Sequence, residues 1–138
     1  MDQKPKLNAL GSATDYSYDG ADARLLEAFP NPFQSSLMKG RIDIAAPEFT
    51  SLCPITGQPD FATIRIEYIP DQLCVESKSL KLYLGSFRQH GMFHEACVEK
   101  ICSDLQNLLR PKKIKVVGEF SPRGGISFWP TAQYPKPE

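Results

Sequence analysis

Ala62-Thr63-Ile64-Arg65-Ile66-Glu67-Tyr68 alternates apolar and polar side chains without a break and ends at Pro70. A period of two sends Ala62, Ile64, Ile66 and Tyr68 to one face, so the stretch reads as a half-buried β-strand. Upstream, Arg41-Ile42-Asp43-Ile44-Ala45 alternates in the same way, with Ile42 and Ile44 on one side. Together they predict an antiparallel hairpin whose connection is the segment between them.

Downstream the period changes. Leu80, Tyr83, Leu84 and Phe87 fall at i, i+3, i+4 and i+7, one stripe of a helix, with Ser77 as its candidate cap. After Gly91, Phe93 opens a second helix to about Leu109, with Cys97, Ile101, Leu105 and Leu108 inward and Pro111 as its stop. Ile114, Val116, Gly118 and Phe120 alternate again as a third strand. Arg123-Gly124-Gly125 reads as a turn, Ile126-Ser127-Phe128-Trp129 as the start of a fourth strand, and the residues from Pro130 as an extended or loose tail. The first 35 or so residues, rich in Asp, Gly, Pro and Asn, read as an arm over the core, with Tyr16 and Tyr18 as anchors. One helical turn is expected at Leu25-Leu26 to Ala28-Phe29, before Pro30-Asn31-Pro32. The order strand, strand, helix, helix, strand, strand predicts an α+β layer: a four-stranded antiparallel sheet with two helices on one face. Two open edges and a bare face predict a homo-oligomer.

Composition bounds the function. The 138 residues suit a single domain, and 41% hydrophobic with 23% charged residues is ordinary for a globular protein. Sixteen basic and sixteen acidic residues cancel, which argues against a binder that tracks nucleic-acid phosphates and for a small-molecule substrate. No apolar run reaches membrane-spanning length, and Met1-Asp2-Gln3-Lys4 lacks the apolar core of an export signal. Cys53, Cys74, Cys97 and Cys102 form no C-x-x-C pair, so reduced thiols in a cytoplasmic protein are expected.

The hairpin connection carries the chemistry. Cys53-Pro54-Ile55-Thr56-Gly57-Gln58-Pro59-Asp60 sets a thiol and a carboxylate in a segment whose two prolines and glycine suit a shaped loop. An ionised thiol is a strong nucleophile, and a nearby carboxylic acid can move a proton. Taken alone, such a Cys is more often a small buried apolar residue, and such an Asp more often closes a turn. Ser77, Lys78 and Lys81 at a helix start suit a phosphate or, equally, a solvated face. His94 and Glu95 open the second helix; a carboxylate there can accept two parallel N–H donors such as those on a guanine-like ring. A metal site is not expected: Gly91 separates His90 from His94, and Cys97 and Cys102 point to different sides of a helix.

Jointly these pieces resemble one family. Glu48-Phe49-Thr50-Ser51-Leu52 running into the Cys53–Asp60 loop, then Val75-Glu76-Ser77-Lys78-Ser79-Leu80-Lys81-Leu82-Tyr83, Phe93-His94-Glu95 and Arg123-Gly124-Gly125-Ile126 match the NADPH-dependent 7-cyano-7-deazaguanine reductases in order and spacing. These are the nitrile reductases of queuosine biosynthesis, in their short, single-module form. The resemblance covers roughly residues 7 to 134. It implies the tunnelling fold, in which subunit sheets join into a barrel, and a decamer of two stacked pentamers with active sites between subunits. It also implies reduction of the nitrile to an aminomethyl group by two NADPH through a cysteine thioimide. Carried over residue by residue, Cys53 is the nucleophile and Asp60 the proton donor. Val75, Glu76, Ser77, His94 and Glu95 contact the deazapurine; Ser77, Lys78, Arg123 and Gly124 contact NADPH. The rival readings are a metal-dependent pterin cyclohydrolase and a non-enzymatic purine-binding protein of the same fold.

Overall fold

The computed structural model describes residue 7 and residues 20–137. Tyr16 and Tyr18 lie outside them. Within the described part of the arm, a single 3-10 turn at Ala23–Leu25 replaces the expected helical turn. Strand β1 (Ala28–Pro30) follows and pairs with β4 (Leu73–Val75), so Phe29 lies opposite Cys74 in a small two-stranded sheet. Extended backbone suits a segment that runs straight into Pro30 and Pro32.

The main sheet has the order β2-β3-β5-β6, antiparallel throughout. Strands β2 (Ile42–Leu52) and β3 (Pro59–Ile69) are both longer than the alternation alone marks. Asp60 therefore belongs to a strand and not to the loop. Pro59 is tolerated because it is the first strand residue, where a missing N–H costs no central ladder bond. The register jumps between Ala46, opposite Ile64, and Phe49, opposite Ala62. Pro47 and Glu48 thus face Thr63 alone, which is a β-bulge. Before the bulge, Ile42, Ile44 and Ala46 pair with the inward residues of β3; after it, Phe49 and Ser51 do.

Helix α1 (Ser77–Gly85) is capped by Glu76, not Ser77. The longer carboxylate accepts from both Lys78 N and Ser79 N, at 2.8 and 2.7 Å, and leaves Ser77 as the first helical residue. Helix α2 (His94–Leu109) begins after Phe93 and ends at Arg110, which adopts left-handed φ of 47° before Pro111. The stripe of Leu80, Tyr83, Leu84 and Phe87 is buried as expected, against Cys97, Val98, Ile101 and Leu105 of α2 and Ile64, Ile66 and Val116 of the sheet. Each such aliphatic side chain contributes about 1.5–3 kcal/mol relative to exposure. Tyr83 satisfies its hydroxyl by donating to Asp104 Oδ2 at 2.6 Å, and Lys100 Nζ donates to the same oxygen at 2.9 Å.

Strand β5 (Lys113–Phe120) matches its expected span. The fourth strand does not. Strand β6 is Thr131–Tyr134, inside the supposed tail, while Ile126, Phe128 and Trp129 are exposed. Residues 128–130 still run beside β5, since Phe120 N donates to Phe128 O and Gly118 N to Pro130 O. Pro130 has no N–H to return, so a regular ladder begins only at Thr131. The face of the sheet away from the helices carries Arg41, Asp43, Arg65, Glu67 and Glu119, joined as Arg41–Asp43, Arg41–Glu67 and Arg65–Glu119 pairs at 3.0 Å. These are exposed pairs, worth little individually.

Candidate active site

The hairpin loop closes on itself. Cys53 N donates to Gln58 O at 2.8 Å and Gly57 N to Cys53 O at 2.9 Å, while Gly57 takes a φ of 70° that other residues resist. Within this turn the Cys53 thiol lies against the Thr56 hydroxyl and the Thr56 and Ile55 backbone N–H groups. Those donors favour the thiolate and lower the Cys53 pKa to about 7; the guanidinium of Arg123 adds to the effect. Thr56 was not among the residues singled out from sequence, although its place three after the thiol in a Pro-started turn is the signal that marks it.

A second segment is stitched to this loop. Leu52 N donates to His90 O at 3.1 Å, and Met92 N donates to Leu52 O at 3.0 Å. Gly91 passes close over the Pro54 backbone, and an added Cβ there would sit in ordinary van der Waals contact at 3.4 Å. The chain then enters α2, which brings His94 and Glu95 to the thiol from 41 and 42 residues away.

Asp60, opposite Ser51 in the hairpin, is buried. A buried carboxylate is costly unless paired, and here both oxygens are met. Oδ2 lies 3.3 Å from His94 Nε2, and Oδ1 is bound by Arg123 Nη2. The imidazole is held in turn by Phe120, on which it stacks. Arg123 comes from a tight turn closed by reciprocal backbone bonds to Ile126, both 3.0 Å, with Gly124 and Gly125 at φ of 57° and 77°.

Cys53, Asp60, His94, Glu95 and Arg123 thus line one cavity of about 250 Å³. Val75 and Ser77 are not in it. They line a larger groove of about 680 Å³ with Glu48, Phe49, Lys81 and Arg88, and the two cavities share no residue. Glu76 is buried with both carboxylate oxygens engaged in the α1 cap, and the Lys78 amide is spent on that cap. Gly124 is open: an added Cβ would meet nothing within 4 Å. Among the described residues no three His, Cys, Asp or Glu side chains gather as a metal-ligand set, and no helix is long and apolar enough to cross a membrane.

A nucleophile near its titration point, a carboxylate held by two cationic-capable groups, and a free carboxylate at a helix start suit addition to a polarised carbon with proton transfer. The family model described as QueF-like protein matches residues 59–138. The NADPH-dependent 7-cyano-7-deazaguanine reductase of Parabacteroides distasonis is 56% identical over 135 residues, covering 98% of this chain and 84% of that protein. Proteins of the same name from Porphyromonas gingivalis and Streptococcus mutans are 58% and 55% identical over 132 residues, covering 96% and 95% of this chain and 84% and 80% of theirs. The crystal structure of the archaeosine synthase QueF-Like in the apo form aligns with a TM-score of 0.62 over 72% of this chain and 95% of that chain; at 22% identity it bears on the fold alone. A family model spanning more than half of the chain and close relatives along nearly all of it show that the protein belongs to the QueF family, that of the NADPH-dependent 7-cyano-7-deazaguanine reductases.

Proposed function

We propose that this chain reduces the nitrile of 7-cyano-7-deazaguanine to the aminomethyl group at the expense of NADPH, through a covalent bond to Cys53. The observation that carries the reading is the Cys53 thiol, drawn down to about 7, in one cavity with a buried Asp60 that Arg123 and His94 hold. A nitrile carbon accepts hydride poorly. Addition of the Cys53 sulfur forms a C–S bond, breaks one π bond of the triple bond and leaves a nitrogen that takes a proton from Asp60. The resulting thioimide is the better acceptor. When bound, NADPH supplies the hydride, and two equivalents carry the carbon to the amine as the thiolate departs. His94, fixed by Phe120, is placed to give a further proton, and Glu95 accepts the ring's paired N–H donors.

The cofactor's phosphates fit the chain's own groups. Arg123 is partly exposed at the cavity, the Gly124 backbone is open to close approach, and Ser77 and Lys78 stand at the start of α1. The cavity around Cys53 is below the size usual for a small-molecule site, and Val75 and Ser77 line a different groove. A complete site therefore takes both grooves, from neighbouring chains: Val75 and Ser77 of one chain reach the deazapurine held at Cys53 of the next, while Glu76 between them holds the start of α1. Joining the open edges of β2 and β6 into a barrel supplies that neighbour, in a decamer of two stacked pentamers.

The test is to mix protein, nitrile and NADPH and follow the nicotinamide absorbance. Turnover is expected in the unaltered protein and none in Cys53→Ala, which still binds the substrate. Appreciable reduction by Cys53→Ala would remove the covalent step; a metal requirement would favour a cyclohydrolase instead.

A further inference from the structure

The Arg123 guanidinium is bound to Asp60 Oδ1 and also lies against the Cys53 thiol, so it bridges the two groups that must exchange a proton. We propose that Arg123 is a positioning residue for the covalent step, holding Asp60 and the forming thiolate in register. The inference rests on the covalent reading above.

The chemistry requires such a group. In C–S bond formation the Cys53 proton passes to the Asp60 carboxylate, the sulfur pair bonds to the nitrile carbon, and Asp60 returns the proton to nitrogen. Atoms and charge balance with no co-reactant. One negative charge is present throughout: it starts on the Asp60 carboxylate and moves to the Cys53 sulfur as the proton crosses. A guanidinium that touches both groups stays beside that charge at either end of the transfer, and its bond to Oδ1 leaves Oδ2, beside His94, to move the proton. Five N–H donors leave capacity for a phosphate as well, so contact with NADPH and contact with Asp60 are compatible. The other titratable groups facing Asp60 are Cys53 from the loop, and His94, Glu95 and Cys97 from the first turns of α2. None of them is a permanent cation. Arg123 alone is.

The experiment omits NADPH. Unaltered protein, Arg123→Ala and Arg123→Lys are mixed with 7-cyano-7-deazaguanine, and adduct formation is followed by its absorbance and by added mass on Cys53, from about pH 5 to about pH 9. Binding of 7-deazaguanine, which lacks the nitrile, reports whether each cavity is intact. Arg123→Ala is expected to form the adduct about ten- to a hundredfold more slowly near neutrality, with the midpoint of its rate–pH curve moved up and 7-deazaguanine still bound. Arg123→Lys is expected to recover part of the rate. An unchanged rate and midpoint in Arg123→Ala would overturn the inference and leave the covalent reading standing. Loss of 7-deazaguanine binding would overturn it too, by making Arg123 a support of the cavity. No adduct in the unaltered protein would sink the covalent reading and this inference together.

Discussion

The imidazole of His94 lies flat on the ring of Phe120, with centroids 3.8 Å apart and planes 7° from parallel. Phe120 is itself buried and meets Phe49 edge-on at 6.4 Å, so the core dictates the plane of the histidine. That plane aims Nε2 at Asp60. Phe120→Leu removes the stacking surface and leaves a partial cavity. It is expected to cost about 1–2 kcal/mol in urea unfolding and to lower kcat more than it weakens substrate affinity. An unchanged kcat would mean that His94 needs no such support.

The thiols should separate by pH. Donors from Thr56 and Ile55 hold Cys53 at about 7, whereas burial pushes Cys97 and Cys102 up to about 11. Below 7 the Cys53 sulfur keeps its proton and reacts slowly; above it the thiolate dominates. Iodoacetamide labelling, located by peptide mass, is expected to rise at Cys53 with a midpoint near 7 and to leave Cys97 and Cys102 unlabelled there. Thr56→Val should move the midpoint upward.

Glu95 opens α2 and lines the cavity of the thiol. Glu95→Leu is expected to weaken deazaguanine binding by a hundredfold or more, on the order of two unmet donors at about 1–3 kcal/mol each. Calorimetric titration measures this directly. The exposed position predicts little change in unfolding midpoint.

Glu76 serves the fold. Its carboxylate spans two amides at the start of α1, so Glu76→Ala is expected to cost about 1–2 kcal/mol, and Glu76→Gln, which keeps one acceptor, less. Chemical denaturation of the two variants checks the order.

The strands and helices that bury one clean face were legible in the sequence. Ile64, Ile66 and Tyr68, and the stripe from Leu80 to Phe87, announce their partners by period alone. Ile126 to Trp129 misled because strand preference records aromatic and β-branched content, while ladder bonds need N–H groups that Pro130 lacks. Cys53, Asp60, His94 and Glu95 could be singled out by residue type and motif, and they converge. The bond from Arg123 to Asp60 could not be read, since it links residues 63 apart across a strand and a turn. The division between the Cys53 cavity and the Val75 groove was equally hidden, because spacing along a chain says nothing about which side of a sheet a helix start faces.

The extra residue at Pro47-Glu48 acts as a phase shifter for the chemistry. Up to Ala46 the even-numbered residues of β2 face inward; beyond it the odd-numbered ones do, and the count carries on through Ser51 to the thiol. Were Pro47 and Glu48 each to take a place in a regular ladder, the register would slip by one residue, every side chain from there to the turn would change sides, and the sulfur would finish facing away from the carboxylate it depends on. One irregular step in an otherwise even strand decides which way the nucleophile looks.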